Sequence, residues 1–166
     1  NFFIKTSDLI ADNSSILFSN NKNAFFSLDI ETGILNWKQK INSNLKAAQV
    51  AYNLKQYSST RTHCRAILAV NPNYGEAYLL IGDCYSSTKF GENELEKKYV
   101  YWAAMDKYSK GKSVDPSIAE KASKKYARAK ANGPSKELLF QYGMIDKPSV
   151  TVGGWINETT AVRVPQ

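Results

Sequence analysis

Apolar and polar residues alternate through the first part of the chain. Ile16 and Phe18, then Ala24, Phe26 and Leu28, then Leu35 and Trp37 recur at a period of two. That period puts successive apolar side chains on one face of a strand. Polar turns separate the runs at Asp12-Asn13-Ser14, Asn20-Asn21-Lys22-Asn23 and Glu31-Thr32-Gly33. Strands of this length at about ten-residue spacing predict a small antiparallel sheet. The period changes at Asn42-Ser43-Asn44, where Ser43 or Asn44 is suited to cap a helix. Ala47, Ala48, Val50, Ala51 and Leu54 follow at helical spacing, and Gln56-Tyr57-Ser58 reads as a turn. Thr60, Cys64 and Ile67 then mark a second helix, which ends at Asn71-Pro72.

A third helix is expected over 76–86 and a fourth over 94–114, with a loop-like stretch at 87–96 between them. The fourth carries the stripe Tyr99, Trp102, Ala103, Met105 and Tyr108, which reads as core, with an exposed ligand groove as the alternative. A helix over 116–131 sets Ile118, Ala119, Ala122, Tyr126 and Ala129 on one face and Lys121, Lys124, Lys125 and Arg128 on the other. Pro116 or Ser117 starts it and Asn132-Gly133-Pro134 ends it. Beyond lie a short helix or turn over 135–142 and β-branched runs at 149–152 and 159–164, read as a strand pair or extended cap. The fold class expected is mainly α, with three regions: a β-meander at 1–45, a helical array at 46–133 and a cap with extended tail at 134–166.

Tyr78, Ile81, Gly82 and Tyr85 stand at the spacing W-x2-L-G-x2-Y, and Ala104, Tyr108 and Pro116 supply A-x3-F…P. This resembles the tetratricopeptide repeat, a helical hairpin of about 34 residues whose small residues sit at the helix crossing. Thr60, Cys64 and Pro72 repeat the second half with weaker residues. Two repeats and a capping helix result, and Pro72 to Pro116 is 44 residues, so the stretch 87–96 is an insertion. Insertions between repeat helices map to one face, often a binding face. Pro72-Asn73-Tyr74-Gly75-Glu76-Ala77-Tyr78, the run from Tyr101 to Tyr108, Val114-Asp115-Pro116-Ser117 and the run from Gly154 to Thr160 extend the likeness to tetratricopeptide-repeat proteins of bacterial cell envelopes. In that family cysteines occur in the inserted loop near Phe90 and before the tail tryptophan, at Gly154 here, and this chain lacks both. If they pair in relatives, the resemblance implies that the 87–96 loop touches the 150–160 tail.

Asp29, Thr32, Gly33 and Trp37 form D-x-x-T-G-x-x-x-W, which resembles one repeat of a quinoprotein-type β-propeller. In that family the first three close a turn between strands and the tryptophan packs between blades. One blade cannot close a propeller, and no quinone or metal site carries over from it. An unrelated meander with the same turn is the alternative. The two resemblances meet abruptly near Leu45, so a chimera, natural or artificial, is one reading of the chain.

Composition changes this picture in one respect. The chain carries a net charge of +7, while residues 1–45 hold four Lys and four acids and are neutral. Residues 97–130 hold ten Lys and Arg against Asp106, Asp115 and Glu120. A solvated helix face explains such a block; an acidic protein, an anionic membrane surface or nucleic acid are the alternatives. Cys64 and Cys84 read as buried free thiols, and His63 as an exposed helix residue. No apolar run reaches the roughly 20 residues of a membrane span, and residues 1–20, which begin without Met, lack the apolar core of a signal peptide. Glu92, Glu94 and Glu96 are paired acids in a polar loop, too solvated to suggest acid–base catalysis. Asn13-Ser14-Ser15 and Asn157-Glu158-Thr159 fit the N-x-[ST] pattern, which a bacterial reading gives no weight.

The expected function is a non-enzymatic protein-interaction or scaffold module of a cell-envelope assembly, with no catalytic residue, cofactor or metal. A protein or peptide partner would enter a groove presented by Asn53, Tyr78, Asp83 and Tyr85, with Phe90 and Glu92 in the inserted loop as a second surface. Tyr74 and Trp102 read as packing residues. The runner-up is a basic surface for nucleic acid or anionic membrane. The resemblance implies a periplasmic or outer-membrane-associated location, with the cytoplasm as the alternative.

Overall fold

The computed structural model describes residues 10–11, 15–19, 24–32 and 35–165. The chain begins with an antiparallel meander of β1 (Ile10–Ala11), β2 (Ser15–Ser19), β3 (Ala24–Asp29) and β4 (Leu35–Lys40), paired in chain order. Ile16 lies opposite Leu28, and both pack on Phe26, which is buried. The β3–β4 pairing shifts register between Ser27 and Leu28. After β3 the Thr32 N–H and hydroxyl both donate to Asp29 Oδ1, at 2.8 and 2.7 Å. These bonds hold the Asp29 carboxyl below its ordinary range. The Asp and Thr of the D-x-x-T-G turn therefore act together; Gly33, the Trp37 side chain and the turns at 12–14 and 20–23 lie outside the described residues.

Helix α1 (Ile41–Asn53) follows β4 directly. It starts ahead of the expected cap at Ser43 or Asn44, which fall inside its first turn. Then come α2 (Tyr57–Val70), α3 (Gly75–Ser86), α4 (Glu96–Val114), a 3-10 turn at Pro116–Ile118, α5 (Ala119–Asn132) and α6 (Lys136–Gln141). The described chain is mainly helical. α3 packs between α2 and α4, which accounts for the burial of Ala77, Leu79, Leu80, Ile81, Cys84 and Tyr85 along nearly its whole circumference. Gly82 makes the α3–α4 crossing: a Cβ there would stand 2.5 Å from the Tyr108 ring. The expected stripe Tyr99, Trp102, Ala103, Met105 and Tyr108 is core. Burial pushes the Cys64 and Cys84 thiols up to about 12, so both stay protonated and unreactive. His63 is half-buried on α2 rather than exposed.

Element ends follow side-chain chemistry that the residue spacing does not resolve. α4 starts at Glu96, not at residue 94, because Asn93 Oδ1 accepts from the N–H groups of Leu95 and Glu96 at 3.1 and 2.9 Å. Asp115 Oδ1 accepts from Ser117 N at 3.1 Å and turns the chain into the 3-10 segment, with α5 following. Ser135 Oγ caps α6 through Leu138 N at 3.2 Å. α5 ends on an extended Gly133 (φ −67, ψ 179) rather than a left-handed glycine, since a residue before proline is driven out of the helical region.

The tail is a two-stranded antiparallel hairpin of β5 (Ser149–Val152) and β6 (Glu158–Ala161). The second strand stops at Ala161, short of the expected 164, where Arg163 turns onto Asp106. Val150, Val152, Ile156 and Thr160 are buried against the helices, so the hairpin shares their core.

Candidate functional site

Helices α1, α3 and α5 line a groove that stays open in the described structure. Its narrower part, a cavity of 210 Å³, lies between Leu45, Gln49 and Tyr52 of α1, Leu79 and Leu80 of α3, and Lys121 and Lys125 of α5. It continues into a cavity of 330 Å³ walled by Tyr52, Asp83, Ser86, Tyr101, Tyr108, Arg128 and Asn132. The apolar floor comes from α3, whose i, i+3, i+4 rows face both neighbours. The polar wall comes from α5, through Lys121, Lys125, Arg128 and Asn132, while α1 adds the mixed row Leu45, Gln49 and Tyr52.

Two ion pairs cross the groove. Lys121 Nζ reaches Glu76 at 2.7 Å, and Lys125 Nζ meets both Asp83 oxygens at 2.7 and 2.8 Å. Tyr108 also donates to Asp83 Oδ1 at 3.0 Å and lies 3.1 Å from Ser86 Oγ. Burial, then the adjacent Asp83 charge, push the Tyr108 hydroxyl up, so it remains a donor. Arg128 has no ion pair among the described residues. The groove thus offers a free guanidinium, two cations shared with acids, and tyrosine hydroxyls at its rim. Such a set can hold carboxylates and peptide groups by hydrogen bonds.

The structure divides the residues expected to meet a partner. Asp83 is in the groove and already paired. Asn53 is exposed at the end of α1. Tyr78 does not face α1 or α5; its Cβ sits 3.3 Å from where a Cβ on Gly111 of α4 would stand. Tyr85 is corrected more firmly, since it is fully buried and its hydroxyl donates to Glu158 at 2.7 Å. Its position three residues after Gly82 turns it toward α2 and the tail. The residues missed were Tyr52, Lys121, Lys125 and Arg128. The lysines and Arg128 read as a solvated helix face, and Lys121 and Arg128 are exposed; the same row also walls the groove. Their i, i+4 spacing opposite Glu76 and Asp83, two turns apart on α3, was the available signal.

The opposite face, made by α2 and α4, is closed by the hairpin. Arg61 donates to the Trp155 and Ile156 carbonyls, the latter at 2.7 Å, and its guanidinium lies 4.9 Å from the Trp155 ring centre. Trp155 meets Tyr85 edge-on at 5.5 Å. Glu158 accepts from Tyr85 and pairs with Lys107 at 2.7 Å and Arg65 at 3.4 Å. Burial pushes the Glu158 carboxyl up, but the Lys107 and Tyr85 hydrogen bonds outweigh it and hold the group below its ordinary range. Asp106 binds Arg163 and accepts from Thr160 Oγ1 at 2.6 Å. Among the described residues no buried side-chain nitrogen or oxygen lacks a partner.

The 87–96 loop joins the two faces. Phe90, 40% exposed, lays its ring over the hairpin turn, where a Cβ on Gly153 or Gly154 would stand 2.8 or 2.7 Å from it. Loop and tail are therefore in contact, as expected from the sequence. Glu92 is exposed; its N–H donates to Glu96 Oε2 at 2.9 Å, and Glu94 pairs with Lys97 at 2.7 Å. The loop and the start of α4 flank a further cavity of 740 Å³ running toward Tyr101. Among the described residues no cluster of three or more His, Cys, Asp and Glu could hold a metal ion, and no helix is long and apolar enough to cross a membrane. Comparison with protein-family models, curated proteins and solved structures returns no match.

Proposed function

We propose that the chain is a non-enzymatic interaction module whose helices pair as tetratricopeptide-type hairpins, and that the α1–α3–α5 groove takes an extended acidic peptide segment of a protein partner. The observation that carries the reading is the asymmetry of the two helix faces. The α2–α4 face is plugged by the chain's own hairpin, whereas the groove keeps half-buried tyrosines and the unpaired Arg128 accessible. The first helices of successive hairpins form the ligand surface of such arrays, and a cationic wall favours acidic sequences over neutral ones. Five of the ten cations in 97–130 are held in ion pairs, with Glu94, Glu158, Glu76, Glu120 and Asp83. That leaves less free charge for a polyanion than the bare sequence suggests. A setting in a cell-envelope assembly rests on the sequence resemblance.

Fluorescence anisotropy against a panel of extended peptides, acidic, neutral and basic, tests the reading. Acidic peptides should bind best, and Arg128→Glu should weaken them about tenfold while sparing the fold. Equal binding across the panel, or an Arg128→Glu protein that binds like wild type, would overturn it. Tighter binding to a DNA or RNA duplex than to any peptide would transfer the function to the basic surface.

A further inference from the structure

A second cavity, of 540 Å³ and separate from the groove, opens where α4 and α5 meet the chain that follows β6. Trp102 and Met105 of α4, Tyr126 of α5, Pro134 and Val164 give it mainly apolar walls. Its volume falls within the range of about 300–1,000 Å³ typical of small-molecule sites. No acid lines it, and its two charged residues are Lys130 and Arg163. Arg163 is already engaged by Asp106 and Thr160, whereas Lys130 has no ion pair among the described residues.

Trp102 adds an observation that points to a ligand. The residue is only 2% exposed, yet its indole N–H has no hydrogen-bond partner among the described residues. No described side-chain nitrogen or oxygen is both buried and unpartnered, so this N–H opens onto free space. It lies beside Gly133, 3.6 Å from where a Cβ there would stand, next to the Lys130–Pro134 end of the cavity. An apolar trough thus carries, at one end, one free cation and one free donor.

We propose that this cavity binds an amphipathic monocarboxylate of the medium-chain fatty acid class, with its carboxylate on Lys130 and the Trp102 indole N–H and its chain along Tyr126, Met105 and Val164. A neutral hydrocarbon leaves both polar groups unserved, and a dianion exceeds the single unpaired cation. The last carbonyls of α5 point the negative end of that helix this way, which keeps the affinity modest. Beyond Arg163 no hydrogen bond pins Val164 or Pro165 among the described residues, so that wall can yield to a ligand.

Titration of the full chain with sodium octanoate, followed by calorimetry and by the Trp102 indole N–H signal, tests this. Octanoate should bind saturably and shift that signal, with butanoate much weaker. Lys130→Gln should weaken octanoate about fivefold, the upper scale of an exposed charge pair, and leave octan-1-ol unchanged. Ala127→Phe, which fills the cavity from an exposed position on α5, should abolish both. Val164→Trp does the same from the tail, should Ala127→Phe disturb the helix. Absence of saturable octanoate binding, equal affinity in Lys130→Gln and wild type, or retained binding in both blocked variants would overturn the proposal. The acidic-peptide assay on the groove is independent of each of these results.

Discussion

The two faces of the helical array carry the same chemistry and opposite consequences. Lys107 and Glu158 on the covered face have side chains 24% and 22% exposed; Lys125 and Asp83 in the groove have 30% and 21%. Ion pairing therefore does not decide which face is closed. What differs is the apolar component. The covered face receives Val150, Val152 and Ile156 from the hairpin, while the groove has tyrosines with only their own helices behind them. Charge seals the rim of an interface that burial creates. A partner in the groove would have to supply what the hairpin supplies on the other side.

The largest expected effect comes from removing that apolar component. Ile156→Ala deletes a side chain that is 1% exposed, and should cost about 3 kcal/mol by denaturant unfolding. Tyr52→Ala in the groove should cost about a third of that, because its site is already open to water. Equal losses would erase the distinction between the faces.

The Glu158→Gln substitution comes next. It keeps the shape but removes a charge that Lys107, Arg65 and Tyr85 all contact, so a loss of about 2 kcal/mol at neutral pH is expected. Because the folded-state pKa of Glu158 lies below its ordinary value of 4.5, its stabilisation is fully present above that value. It fades as pH falls through the lower, folded-state value. Wild type should thus lose its advantage over Glu158→Gln in acid, as measured by unfolding curves between neutral pH and pH 3. A gap that stays constant down the series would mean that the charge is not what Glu158 contributes.

Much of this arrangement was legible in the residues, and the failures have physical causes. The period of two and the helical rows gave the elements and the core faces, because they depend on neighbours within a few residues, and the small residue Gly82 marked a close helix crossing through its place in the repeat spacing. The partner surface did not follow. Tyr85 stands at a motif position, and its direction is set by Arg61, Trp155 and Glu158, which lie 24 to 73 residues away. Lys121 and Lys125 were legible as a row on a helix, but their acids lie 45 and 42 residues earlier. Helix starts shifted for a local reason: Asn93 and Asp115 cap by side-chain geometry that spacing alone does not report.

Phe90 tests whether the loop belongs to the covered face or the open one. Phe90→Ala removes a ring seated on Gly153 and Gly154. A half-exposed aromatic contributes about 1 kcal/mol here. Amide exchange should quicken at residues 87–95 and at the hairpin turn, with the groove helices unchanged. Exchange that quickens at Lys125 and Arg128 instead would tie the loop to the groove.

The smallest effect on stability is expected where the effect on binding is largest. Lys125→Ala breaks a pair between two partly exposed groups, and such pairs contribute about 0.5 kcal/mol. Asp83 is not stranded by the change, since Tyr108 still donates to it and its side chain remains 21% exposed to water. Glu158 on the covered face is buffered in the same way when Lys107 is removed, since Tyr85 still donates to it and Arg65 still pairs with it. Lys125→Ala should therefore unfold like wild type yet bind an acidic peptide about tenfold more weakly, with a shallower salt dependence. A variant that loses stability but keeps peptide affinity would make Lys125 a brace between α3 and α5 and leave Arg128 as the groove's peptide-binding cation.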